Sequence, residues 1–143
     1  MNKNVFIVHG RSHADRDKLA KIIHDLGCIP KILALEPKNG GTIIEEFERL
    51  ASTCVFAFVL MTPEDPMADE LEEDQRFRAR QNVIFEMGWF FSHLGRVRTR
   101  LLFKEKIELP SDVTGILYIR YEDDIDELRS EIREALIEGG LLQ

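Results

Sequence analysis

The sequence is short of most features that would place it outside ordinary globular domains. It has two cysteines in 143 residues. That is too few for a disulfide scaffold, and they lack the CxxC spacing of a metal or redox pair. Both Cys28 and Cys54 stand among apolar neighbours, as small core residues do. No apolar stretch approaches the ~18 residues that a membrane-crossing helix needs. The opening MNKNVFIVHG has an apolar run of four residues, too short for a signal peptide. The expectation is a cytoplasmic protein with no membrane partner. Basic residues are in deficit, 19 Lys and Arg against 26 Asp and Glu. A net charge of -7 argues against a nucleic-acid partner, which would require clustered cations. A local basic pocket for a phosphorylated ligand is still compatible with it. The chain has no GxSxG elbow, no P-loop and no GxGxxG fingerprint. His13, His24 and His93 lack the spacing of metal ligands, so no metal site is predicted.

What is present is an alternation of short apolar runs and amphipathic stretches. Val5–Val8 reads as a buried strand, and Ala14–Leu26 as a helix stopped by Gly27. Ile29–Leu35 reads as a second strand. Glu36–Gly41 reads as a loop, and Thr42–Ala51 as a helix opened by a capping box of Thr42 and Glu45. The uninterrupted run Cys54–Met61 has the character of a central strand covered on both faces. Thr62–Asp74 is Pro-rich and acidic, a loop on composition, with Glu70–Asp74 as a solvated run. A helix over Arg78–Leu94, a strand over Thr99–Phe103, a loop over Ile107–Gly115, a strand over Ile116–Tyr121 and a helix over Ile125–Ile137 complete the order. Alternation of this kind predicts an α/β fold, a single flavodoxin-like domain over residues 1–143. Its five-stranded parallel sheet would have the order 2-1-3-4-5, with helices on both faces. Ligands in such folds bind at the carboxyl ends of the strands.

The residue of greatest chemical interest is Glu86, a carboxylate among large apolar neighbours in Asn82–Phe91. An ionised carboxylate there is costly unless it is paired or faces a cleft. Asn82 and Arg78 precede it at four-residue steps, which puts all three on one helical stripe suited to hydroxyls and phosphates. The competing reading has Glu86 tied to Arg78, Arg80 or Arg96 in a structural ion pair. Gly40, Gly41 and Thr42 lead into a helix N-terminus, either as a simple turn or as a close approach to a ligand. His9, Gly10 and Arg11 follow the first strand. Arg11 is a phosphate anchor on one reading and a solvated loop residue on the other.

Taken together, Val5–Gly10, Gly41–Glu48, Val59–Pro63, Arg78–Gly88 and Leu109–Gly115 resemble the bacterial TIR-like, predicted nucleotide-binding family. Members of that family serve as effector domains of cyclic-oligonucleotide antiphage systems, including TIR–STING fusions. The resemblance runs from residue 4 to about 121, and its most specific block is Arg80–Glu86. It implies a TIR fold and cleavage of NAD⁺, as substrate rather than cofactor, at the nicotinamide–ribose bond. It puts Glu86 in the catalytic position and Leu35–Gly41 in the place of the BB loop, which governs self-association and access to the site. Asp112 matches an acidic site residue, while Arg11, Arg80 and the Gly40–Thr42 turn fall to the diphosphate and adenosine side. A cyclic-nucleotide sensor, in the same chain or another, is the implied partner. The acidic insert between Pro63 and Arg76 departs from the family pattern. A non-catalytic TIR interaction module is the main alternative. A nucleoside deoxyribosyltransferase-like enzyme is a further one, and a phosphoreceiver is disfavoured by His-Gly where an acidic pair belongs.

Overall fold

A computed structural model describes residues 1–10, 12–36, 40–62, 73–104 and 118–143, with side chains omitted over 73–81. Among these residues the elements run β1 (Asn4–His9), α1 (His13–Asp25), β2 (Ile29–Lys31), α2 (Ile43–Ala51), β3 (Phe56–Met61), α3 (Glu73–Leu94), β4 (Thr99–Lys104), β5 (Tyr118–Tyr121) and α4 (Arg129–Glu138). The strands form one sheet in the order β2-β1-β3-β4-β5, with every neighbouring pair parallel. This is the predicted α/β architecture.

Strand alternation divides the core into two layers. Val5, Ile7, Phe58 and Leu60 face one side, where Leu19, Ile22 and Ile23 of α1 and Ile132 and Leu136 of α4 cover them. Phe6, Val8, Ala57 and Val59 face the other, against Phe47 and Leu50 of α2 and Val83, Met87 and Phe90 of α3. Central strands β3 and β4 are apolar on both faces because both are covered. Both cysteines are buried, and burial raises the Cys54 thiol to about 11, so it is an inert core residue.

Among the described residues, three boundaries differ from the sequence reading by more than two residues. The second strand ends at Lys31, not Leu35, and Leu33–Leu35 forms a 3-10 turn. Pro30 cannot donate to a ladder, so β2 is a short edge strand that pairs only with β1. Helix α3 begins at Glu73, which makes the end of the expected loop, Glu73 and Asp74, helical. Its first turns carry charge instead of an apolar period, and this hid them. The final helix opens with a separate 3-10 turn, Ile125–Leu128, capped by Asp124 and Glu127 in a reciprocal capping box. Gly27 does end α1: its φ of 92° lets the Cys28 amide reach back to the Ile23 carbonyl at 3.1 Å.

One buried polar contact fastens β5 to α1. The Tyr121 hydroxyl donates to Asp15 Oδ2 at 2.8 Å, and both residues are buried. Burial and the neighbouring carboxylate hold the phenol well above its ordinary range, so it remains a donor. Tyr121→Phe is expected to cost about 2 kcal/mol, since it takes the hydrogen-bond donor from a buried carboxylate and leaves it Lys104 Nζ at 4.0 Å. For a chain of this length that lowers the thermal midpoint by about 4–8 °C. A shift under one degree in a calorimetric scan would show the contact to be idle.

Candidate active site

The carboxyl end of β1 opens into a cleft of about 390 Å³. Phe6 and Ile7 of β1 line it, and His9 stands at the strand end. The 3-10 turn after β2 supplies one wall through Leu33, Ala34 and Glu36. Gly41, Ile43 and Glu46 enter from the start of α2, and Asn82 and Glu86 from α3. No helix among the described residues is long and apolar enough to cross a membrane.

Glu86 reaches this cleft because of its place on α3. Val83, Met87 and Phe90 point into the core, and Glu86 lies at the edge of that stripe, one turn beyond exposed Asn82. Its carboxylate is partly buried and makes no hydrogen bond or ion pair among the described residues. Desolvation alone raises it from 4.5 to about 7. The competing tie to Arg96 is not made, and the side chains of Arg78 and Arg80, the other two candidates for it, lie outside the described residues. A raised pKa of this kind, in a cleft and without a compensating cation among the described residues, marks candidate catalytic groups.

The other two cleft carboxylates are compensated. Glu36 lies 3.8 Å from Lys31 Nζ, and Glu46 pairs with Arg49. Three carboxylates around one cavity favour a cationic or polyhydroxylated occupant. His9 contributes differently. Its Nδ1 lies 2.8 Å from the Gly10 carbonyl oxygen, which only accepts, so the proton sits on Nδ1 and Nε2 is left as an acceptor. Burial lowers its pKa, and Arg16 and His13 push the same way, so the ring is neutral near pH 7.

The Gly40–Thr42 turn is held to α2 by side chains. Gly40 has a φ of 81°, a conformation glycine adopts without strain. Thr42 Oγ1 accepts from the Glu45 amide at 3.1 Å and caps α2. The predicted capping box is half built, because the Glu45 carboxylate takes the Thr42 hydroxyl at 3.0 Å instead of an amide.

Of the residues singled out in the sequence, His9, Gly41, Asn82 and Glu86 line the cleft together. Gly10, Gly40 and Thr42 adjoin it through the contacts just given. Arg11 and Asp112 lie outside the described residues. Arg80 belongs to α3, and its side chain also lies outside them. Sequence reasoning missed Glu36 and Glu46. The signal for Glu46 was there: it stands on the apolar side of α2, with Phe47 and Leu50, much as Glu86 stands on α3.

A family model described as "CAP12/Pycsar effector protein, TIR domain" matches residues 4–123. Among curated proteins, the chain is 40% identical to the uncharacterized protein YuaY of Escherichia coli K12 over 86% of its length, spanning 41% of that relative. It is 34% identical to protein tirC of Dictyostelium discoideum, across 90% of the chain and 69% of tirC. It is 35% identical to the Pycsar effector protein PaPycTIR of Pseudomonas aeruginosa, across 64% of the chain and 30% of that protein. The chain thus spans well under half the length of YuaY and PaPycTIR.

Proposed function

The chain belongs to the TIR-domain family of CAP12 and Pycsar effectors, and from that premise we propose that it hydrolyses NAD⁺ at the nicotinamide–ribose bond. The carrying observation is Glu86, a desolvated carboxylate with no ion-pair partner among the described residues, in a cleft of about 390 Å³. In the proposed reaction the C1′–N bond breaks and its electron pair passes to the nicotinamide ring, neutralising the cation. Positive charge then develops on the ribose, as in glycoside hydrolysis. The Glu86 carboxylate stabilises that charge where little water competes. Water adds at C1′ and loses a proton, giving nicotinamide, ADP-ribose and H⁺. A cyclised ADP-ribose results if a group of the same molecule adds in place of water.

In this reading Asn82, one turn before Glu86 on the cleft wall, holds ribose hydroxyls, and neutral His9 accepts a hydrogen bond from a hydroxyl through Nε2. The diphosphate falls to Arg11, Arg80 and the Gly40–Thr42 turn, with Asp112 as a further site residue. Cytoplasmic antiphage defence and coupling to a cyclic-nucleotide sensor belong to the same proposal. So does self-association through the loop before α2, supported by exposed Leu35 ahead of it and exposed Ile43 and Ile44 in the first turn of α2. The same apolar group supports the second reading, a non-catalytic interaction module.

Incubation with NAD⁺ at rising protein concentration, with products separated by chromatography, tests both. Nicotinamide release with a rate per protomer that climbs with concentration is expected. A rate per protomer independent of concentration would remove the assembly element. Intact NAD⁺ at every concentration would leave the interaction module.

A further inference from the structure

Glu86 is not alone in holding a carboxylate against an apolar face. Glu46 is 7% exposed, stands between Glu45 and Phe47 in the first turns of α2, and lines the same cleft. A charge so buried needs partners. One of its oxygens, Oε1, accepts from the Gly41 amide at 3.3 Å, and Oε2 accepts from Arg49 Nη2. The turn on the other side of that contact has little stiffness of its own. Gly40 and Gly41 are both exposed, and Gly40 has no heavy atom within 4 Å of where a Cβ would stand. At Gly41 a Cβ would meet Glu45 at 3.4 Å and Glu46 at 3.5 Å, so the turn lies directly against these two side chains.

We infer that Glu46 is a positioning residue, which tethers the Gly41 turn to α2 and thereby sets the width of the cleft mouth across from Glu86. The inference rests on the NAD⁺ reading above and adds to it a determinant of substrate fit. The tether is an oxygen accepting an amide proton, so an uncharged acceptor of equal length preserves it, while a shorter carboxylate does not.

Glu46→Ala is expected to raise KM for NAD⁺ about tenfold with kcat within about twofold, the effect of losing one positioning hydrogen bond. Glu46→Gln keeps KM within about threefold of the parent, and Glu46→Asp, one methylene short, behaves like the Ala variant. A Gln variant as impaired as the Ala variant, or an Ala variant with unchanged KM, would overturn the tether. Amide hydrogen exchange at Gly41, measured without NAD⁺, gives a second reading. Exchange should quicken in the Ala and Asp variants and hold steady in Gln, and equal rates in all four proteins would also overturn it. Should Glu46→Ala fail to fold by circular dichroism, the Gln and Asp variants carry the comparison. A parent protein that releases no nicotinamide would end the NAD⁺ reading, and the exchange measurement would still decide the tether.

Discussion

Glu86→Gln is expected to reduce nicotinamide release by about a thousandfold, the scale on which removing one preorganised electrostatic group acts. Gln has nearly the same shape and keeps a carbonyl oxygen, so the loss isolates the charge. Stability should move the opposite way. The folded carboxyl titrates at about 7 against an ordinary 4.5. Above pH 7 both folded and unfolded chains carry the ionised acid, and the folded protein bears a desolvation cost of about 3 kcal/mol. That cost shrinks as pH falls through 7 and is gone below about 4.5, where both states are protonated. The neutral variant should therefore melt several degrees higher than the parent at pH 8 and at the same temperature at pH 4. Nicotinamide release at the parental rate would remove Glu86 from the mechanism. Equal melting at pH 8 would mean that the carboxylate is well solvated.

The second large effect is on the rate as a function of acidity. In the proposed reaction the ionised form of Glu86 is the active one, so kcat/KM should fall about fiftyfold between pH 7 and 5, with a slope that approaches tenfold per pH unit below about 6. In the proposed complex the cationic nicotinamide ring would lie near the carboxylate and favour its ionised form, so the break in kcat should sit at lower pH than the break in kcat/KM. His9 adds no second break above pH 7, because burial already lowers its pKa from 6.5. A profile flat from pH 5 to 8, or one whose break survives in Glu86→Gln, would assign the titration elsewhere.

The layered fold was legible because its cause is local. Strands β1, β3 and β4 carry enough apolar residues to be covered on two faces, and the connecting helices carry apolar stripes, so strand order follows from connection rules. Legibility failed where local signals conflict. Ile29–Leu35 is β-rich in composition, yet Pro30 on an edge strand and the turn at Leu33–Leu35 end the pairing at Lys31. The start of α3 was hidden by a charged first turn. The site divides in the same way. Asn82 and Glu86 are joined by helix periodicity, which the sequence displays directly. Glu36, Leu33 and Ala34 reach the cleft only because the chain turns off after β2, a path set by tertiary packing and not by any periodicity.

Phe6 is fully enclosed between the rings of Phe47 and Phe90, at centroid distances of 5.5 and 4.9 Å, and it also lines the cleft. The candidate site therefore has no foundation separate from the fold's own packing. Substitutions that enlarge or reshape it at Phe6 to admit a different dinucleotide must disturb an aromatic cluster that keeps α2 and α3 on the sheet. Evolution of new substrate preferences in this scaffold is thus channelled to the rim, at Glu36, Gly41 and Ile43, where side chains change without loosening the interior.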